Sequence, residues 1–418
     1  MSVEHVCLIG LGYVGLPTAA VLASRGVRVT GVDVNPATVE SINAGRPHII
    51  EPDLDMVVHG AVSAGKLTAT TTPVEADAFI IAVPTPFDDD RQPDLSYLRA
   101  AATSIAPVLK AGDLVVIEST VPVGATAEVG RWLQAARPDL KMADPEHPES
   151  QHDVCISHSP ERVLPGRVLL ELVRNDRVIG GLGHDCAQNT ASLYGTVVEG
   201  EMHLTTAPTA ELVKLSENAF RDVNIAFANE LANVAGPLNI DVGDVVRLAN
   251  HHPRVNILNP GPGVGGHCIA VDPWFIVASA PDRTPLIRAA RNVNDGRPGV
   301  IAAEVAALDQ VQAGAAVACL GLSYKADIDD LRESPSIHAV IALRQLIDNE
   351  ILIVEPHTAS LPAALASLDN VHLVPFEDAL NAAGAIVLLT DHKLFTQASP
   401  SLYKGKDILD SRGALKFL

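Results

Sequence analysis

Apolar positions along this chain follow two alternating rhythms. Short apolar runs, as in strands covered on both faces, lie at His5–Ile9, Val27–Val32, Ala78–Val83 and Leu114–Glu118. Helical spacing fills the intervals, first from about Val14 to Ser24. This alternation predicts parallel βαβ units, and right-handed crossovers make them a doubly wound sheet. The rhythm then changes. PTAELVKLSENAFRDVNIAFANELANVA, from Pro208 to about Ala235, reads as one helix. At roughly 28 residues it far exceeds the mean globular helix of about 11–12, and its proline falls in the tolerated first turn. A helix so long needs partners along its flank, as a spine between domains or as a dimer contact. Alternation returns in the last third, with strands at Ala315–Leu320, Ile351–Val354 and Ala385–Leu389 and a helix over Pro335–Leu346. The prediction is an α/β protein with two doubly wound parallel-sheet domains, residues 1–205 and 301–418. A helical region, 206–300, joins them. ADPEHPESQHD, Ala143–Asp153, reads as a surface loop, and no short-period repeat or low-complexity tract is visible.

Composition narrows the function classes. Hydrophobic residues make up 47% and charged residues 19% of the 418, enough for large cores, while aromatics are only 4%. Alanine and valine therefore supply much of the apolar surface, which suits helices packed on parallel strands. The formal charge of −20 argues against a nucleic-acid partner. An anionic ligand must then be held by local arginines, lysines and helix N-termini. The five cysteines, Cys7, Cys155, Cys186, Cys268 and Cys319, are scattered and show no CxxC or Cys/His spacing. The expectation is neither a disulfide framework nor a metal site. MSVEHVCLIG lacks the cationic start of a signal peptide, and no apolar stretch is long enough to span a bilayer. A cytoplasmic protein without a membrane partner is expected.

The first strand runs into GLGYVG, placing Gly10, Gly12 and Gly15 between a strand and a helix as a dinucleotide fingerprint requires. The first glycine permits the turn, the second lets backbone approach a pyrophosphate, and the third lets helix pack on strand. Asp33 ends the second strand, eighteen positions after Gly15. An acid there accepts bonds from ribose hydroxyls and repels a 2′-phosphate, so NAD is the expected cofactor.

A second pliable segment, GPGVGGHCIAVDPWF, holds Cys268. A lone cysteine is commonly a small buried hydrophobe. In a dehydrogenase, however, a thiolate can add to an aldehyde, and the thiohemiacetal can be oxidised to a thioester that water releases as a carboxylate. Gly265 and Gly266 would let substrate approach the backbone closely. His267 adjoins the thiol, and Asp272 is either a base for the hydrolytic water or a helix cap. On the long helix Lys214, Asn218 and Arg221 share a face. They either stabilise an oxyanion or form a solvated polar stripe.

GYVGLP, ESTVPVG at 118–124, SPERVLPG at 159–166, KLSENAFRDVNIAFANE from Lys214, GPGVGGHCIAVDPWF and LSYKADIDDLRES occur in this order over nearly the whole chain. Together they resemble the UDP-glucose/GDP-mannose dehydrogenase family. The resemblance implies an NAD-binding Rossmann domain, a central helical dimerisation region and a Rossmann-like C-terminal domain that holds a UDP-sugar. It implies Cys268 as nucleophile, with Lys214 and Asn218 supporting the oxyanion. Glu161 and Asp272 become candidates for managing the hydrolytic water, and Thr120 lies near the nicotinamide or that water. Tyr13, Val14, Asp33 and Thr85 match NAD contacts, and Arg332 resembles a residue reaching the cofactor. Lys325, Tyr324, Gly263, Arg162, Val163 and Arg221 resemble substrate contacts. His252 and Arg254 match a region serving the sugar site of the partner in a homodimer.

GGHCIAVDPWF, NDRVIGG and HHPRVNIL resemble the branch acting on UDP-amino-sugars. The histidine before the cysteine sets them apart from the plain UDP-glucose branch. The Asp-Pro-Trp-Phe continuation favours UDP-N-acetylmannosamine over UDP-N-acetylglucosamine, with two NAD consumed per sugar. Two other classes stay open on the residues: a two-electron 3-hydroxyacid-type dehydrogenase, and a nucleotide-sugar sensor without catalysis.

Overall fold

The computed structural model describes residues 3–88, 90–164, 166–238, 240–266 and 269–415. The chain forms two compact units, Met1–Ser216 with Trp274–Pro281, and Glu217–Pro273 with Asp282–Leu418.

The first unit is built on an eight-stranded sheet of order β3-β2-β1-β4-β5-β6-β7-β8. Its strands are β1 His5–Ile9, β2 Arg28–Val32, β3 Leu67–Thr70, β4 Ala78–Ile81, β5 Leu114–Ile117, β6 Cys155–His158, β7 Arg177–Gly181 and β8 Met202–Thr206. Strands β1, β4, β5 and β6 are buried along their whole length. This explains the apolar runs of β1, β4 and β5, because helices cover both faces of the sheet. The pairing is parallel apart from β6 with β7, which is antiparallel.

The second unit carries a five-stranded, all-parallel sheet of order β11-β10-β9-β12-β13. Its strands are β9 Ala316–Leu320, β10 Ile351–Val354, β11 Val371–Leu373, β12 Ala383–Leu388 and β13 Asp407–Asp410. Successive residues of β9 serve opposite cores. Val317 and Cys319 join one cluster with helices Pro285–Ala306 and Pro335–Leu346, while Ala318 and Leu320 join the other. The predicted long helix is a single helix of 29 residues, Ala207–Ala235.

In both sheets the strand order reverses beside the first strand, which creates a crevice at the carboxyl ends where ligands bind in open α/β folds. The two crevices use the same devices. Gly10, after β1, has φ +94°, and a Cβ there would lie 2.4 Å from the Ala82 carbonyl oxygen after β4. Gly321, after β9, has φ +92°, and its Cβ would lie 2.4 Å from Thr390 after β12. An acid beyond the second strand of each sheet ties down the loop beyond the first. Asp33 accepts from the Leu11 amide (3.2 Å), and Glu355 accepts from the Leu322 and Ser323 amides (2.7 and 3.0 Å).

Candidate active site

At the first crevice each glycine has a distinct steric reason. A Cβ on Gly15 would sit 1.9 Å from the Gly10 carbonyl oxygen, so only glycine lets the helix Gly15–Ser24 pack on β1. A Cβ on Gly12 would meet nothing within 4 Å. Space therefore remains beside that backbone for a diphosphate, as NAD requires. The first turn of the helix carries no acidic residue, leaving its positive end suited to an anion. Asp33 stands at the end of β2 with its carboxylate held by the Leu11 and Asn35 amides. Tyr13 is exposed, Val14 is half-buried, and the Thr85 hydroxyl donates to the Thr120 carbonyl at 2.6 Å, pinning two crevice loops together. These residues fit an NAD site. Asp33→Ala is expected to weaken NAD binding at least about tenfold, because a hydrogen bond to a charged group is worth about 1.5–3 kcal/mol. A cofactor titration checks this, and unchanged affinity would remove Asp33 from the site.

Beyond β5 and β6 the first unit assembles a buried ionisable group. Lys214 on the long helix is only 9% exposed. Burial pushes the Glu161 carboxyl up to about 7; the Lys214 charge opposes that rise and the Glu118 charge adds to it. Glu161 also accepts a hydrogen bond from the Val163 amide. A carboxyl poised near neutrality can accept or return a proton at the pH of the cell. Behind it lies a network with no assigned role in the sequence reading. Glu118 Oε1 accepts from Arg177 (3.1 Å) and from the Tyr194 hydroxyl (3.2 Å), and the Arg177 guanidinium lies 4.1 Å above the Tyr194 ring. Glu118 belongs to ESTVPVG and Arg177 to NDRVIGG, so the motifs were visible but not this pairing. His158 is wholly buried and its ring is pushed down to about 3 by that burial, so it is neutral. Glu211, three residues before Lys214, accepts from the Gly124 and Thr126 amides (2.6 and 2.8 Å), which anchors the first turns of the long helix.

In the second unit Asn218, one turn beyond Lys214 on the same helix, donates to Asp272 Oδ2 at 2.5 Å. Asp272 is buried and opens the helix Asp272–Ser279. Asp272 thus stands at a helix start and faces the Asn218 side chain. Arg221 is exposed, unlike Lys214 and the half-buried Asn218, so the three do not form one solvated stripe. In the first unit Trp274 is buried, and the Arg91 guanidinium lies 4.0 Å from its ring.

His267 and Cys268 lie outside the described residues. The backbone before them is defined, and it corrects one expectation. A Cβ on Gly265 would fall 2.7 Å from both the Glu333 carbonyl oxygen and Tyr324 Cβ, and one on Gly266 would fall 3.1 Å from the Tyr324 ring. These two glycines make room for the protein's own Tyr324 and Glu333, not for a ligand on that side. Gly263 has φ +135°, and its Cβ would lie 2.8 Å from the Asn294 carbonyl oxygen. A buried polar chain holds the start of this loop. Arg291 donates to Asp222 (2.6 Å), Asn294 donates to Asp222 (2.8 Å), Asn229 donates to Asn294 (2.9 Å), and the Gly261 amide donates to Asn229 (2.8 Å). Nothing in the sequence singled out this chain, because helical periodicity ranks polar residues without showing which of them meet.

Around the second crevice Tyr324 is half-buried and Lys325 exposed on the loop after β9. Arg332 makes a two-pronged pair with Asp330 (2.8 and 2.6 Å). Arg162 donates to the Asp176 carbonyl at 3.2 Å, Val163 is half-buried, and His252 and Arg254 are exposed.

Two doubly wound sheets, one with an NAD-type crevice, define a dinucleotide-dependent dehydrogenase. Family models make the class specific. The NAD binding domain of the UDP-glucose/GDP-mannose dehydrogenase family matches residues 4–198, its central domain 208–296 and its UDP binding domain 318–417. The chain belongs to the UDP-glucose/GDP-mannose dehydrogenase family and is an NAD-dependent enzyme. It is 54% identical over 414 residues to the NDP-N-acetyl-D-galactosaminuronic acid dehydrogenase of Ralstonia nicotianae, covering 98% of this chain and 95% of that protein. It is 51% identical over 421 residues to the UDP-N-acetyl-D-mannosamine dehydrogenase of Yersinia pestis, covering 99% of each. The solved structure of the UDP-D-ManNAc dehydrogenase from Pyrococcus horikoshii matches with a TM-score of 0.85 at 38% identity, covering 99% of this chain and 96% of that one. Among the described residues no helix is long and apolar enough to cross a membrane.

Proposed function

We propose that the chain oxidises UDP-N-acetyl-D-mannosamine at its 6-hydroxyl to UDP-N-acetyl-D-mannosaminuronate, through a thiohemiacetal and a thioester on Cys268. The observation that carries the reaction class is the Asn218–Asp272 pair: Asp272 is buried and lies four residues beyond Cys268 in sequence, and Asn218 lies one helical turn beyond Lys214. NAD, when bound, accepts hydride, and two equivalents are needed to take an alcohol to an acid. The other steps belong to the chain. Lys214 and Asn218 stabilise the oxyanion of each tetrahedral adduct. The Cys268 thiolate adds to the aldehyde carbon, whose oxygen takes up a proton. After the second oxidation, water adds to the thioester carbonyl, the C–S bond breaks and the thiolate is restored. Glu161 takes the proton of that water, and Asp272 orients Asn218. Lys325, Tyr324 and Gly263 hold the nucleotide-sugar, with Arg162, Val163 and Arg221 as further contacts. Thr120 and Arg332 serve the cofactor side.

The mannosamine reading rests on relatives about half identical along the whole chain. A second reading, the galacto epimer, is favoured by the relative from Ralstonia at 54%. A panel of UDP-N-acetylhexosamines with NADH counted per sugar consumed separates these readings. The expected result is about two NADH per UDP-N-acetylmannosamine, the four-electron balance of the thioester route. About one NADH with free aldehyde would refute that route, and binding without turnover would leave a sensor.

The functional unit is read as a homodimer in the cytoplasm. Phe220, Phe227 and Val234 recur at seven-residue spacing on the long helix and are 69%, 51% and 56% exposed. Such a stripe on a helix is suited to a second copy of the chain. His252 and Arg254 then serve the partner's sugar site.

A further inference from the structure

One cluster of ligating side chains has no part in the dehydrogenase reading. His152, Cys155, Asp185 and Cys186 each bring one ligand atom within 4.8 Å of the others. Cys155 is the first residue of β6, and His152 precedes it at the end of the proline-containing loop Ala143–Asp153. Asp185 and Cys186 lie in the first turn of the helix His184–Tyr194. His152 Nε2 is 3.4 Å from Cys155 Sγ, 3.6 Å from Cys186 Sγ and 3.3 Å from Asp185 Oδ2, and Cys186 Sγ is 3.9 Å from Asp185 Oδ1. Four ligands at tetrahedral angles, with Zn–S about 2.3 Å and Zn–N or Zn–O about 2.0–2.1 Å, stand about 3.3–3.8 Å apart. The three distances from His152 Nε2 fall in that range, and every other separation is within 4.8 Å.

Its surroundings suit the same use. His152 Nδ1 faces the Ser150 carbonyl at 3.0 Å. A carbonyl only accepts, so Nδ1 carries a proton, which leaves Nε2, facing the sulfurs, as the nitrogen to ligate an ion. Asn189 donates to Cys155 Sγ at 3.2 Å. Gly183 lets the two segments close together, since a Cβ there would come 3.1 Å from the Pro148 carbonyl oxygen and 3.3 Å from His152 Cε1. Both cysteines are buried, whereas the Asp185 side chain is 58% exposed. Asp185 and His152 line an open cavity of about 670 Å³ with Lys141 and His184, which gives an ion a path from solvent.

We propose that His152, Cys155, Asp185 and Cys186 form a tetrahedral Zn²⁺ site that fastens the loop before β6 to the start of the helix after β7. Two thiolates, an imidazole and a carboxylate select zinc over magnesium or calcium. All four positions are filled by protein, so the site is structural and leaves no coordination position for substrate. Binding releases the thiol protons to solvent without any redox change.

The test uses the full chain, purified under reducing conditions without chelator, with its metal measured by mass spectrometry. The stripped protein is then titrated with Co²⁺. The expected result is about one zinc per chain and, with Co²⁺, a thiolate charge-transfer band that Cys155→Ser removes. Asp185→Asn changes only an exposed carboxylate, so the fold is kept. It should weaken zinc binding by at least the about 10-fold that outer-shell changes commonly cost. Metal-free protein that shows no thiolate band with Co²⁺ would overturn the site. So would zinc retained in full by Cys155→Ser, or a Cys155–Cys186 disulfide in a non-reduced peptide map of the fresh protein.

Discussion

Cys268→Ser is expected to lower steady-state NADH production by at least about 10³-fold while leaving NAD affinity unchanged. A serine hydroxyl has almost no anionic form at neutral pH and adds weakly to an aldehyde. The first oxidation can still occur, but the aldehyde is not captured for the second. NAD binding is kept because the dinucleotide features, the Gly10–Gly15 turn and Asp33, belong to the first unit and involve no part of the cysteine loop. Stopped-flow absorbance should show no more than one NADH per active site, followed by a near-stop, and a cofactor titration should match wild type. Wild-type turnover in this variant would end the covalent mechanism.

Lys214→Ala is expected to cost about 10²–10³-fold in kcat, the usual effect of losing an oxyanion-stabilising donor. It should also move the pH profile, with a sign fixed by the site. Burial holds the Glu161 carboxyl up to about 7 even though the Lys214 charge pulls it down. If Glu161 must be ionised to take a proton from water, kcat rises with pH through about 7 in the wild type. Removing the lysine charge removes the downward pull. The Glu161 carboxyl then rises further, and the ascending limb shifts to higher pH. Glu161→Gln has no ionisable group and should lose the limb altogether. An unshifted limb in Lys214→Ala, or a preserved one in Glu161→Gln, would assign the titration to another group.

Sequence reading came close to the fold because its elements are long and strongly patterned. Strands buried on both faces are mostly apolar, so β1, β4, β5, β9 and β10 could be placed within a residue or two, whereas β6, with Ser157 and His158 buried in it, gave no such run. The dinucleotide turn was equally legible, since only glycine tolerates contacts as close as those at Gly10 and Gly15. Gly265 and Gly266 show where such reading stops. Their need for glycine was visible, but Tyr324 and Glu333, which impose it, lie far along the chain. The polar chain from Arg291 through Asp222, Asn294 and Asn229 to Gly261 was hidden for the same reason.

By itself the sequence determined the alternation of strands and helices, the nucleotide turn and the acid after the second strand, because each depends on neighbours a few residues away. Tertiary structure alone decided which charged groups meet once water is excluded. It raised Glu161 to neutrality, placed Asp272 against Asn218, and drew His152, Cys155, Asp185 and Cys186 together from two segments whose spacing gave no sign of it. Burial and through-space distance set those properties, and neither is encoded in the separation of residues along the chain.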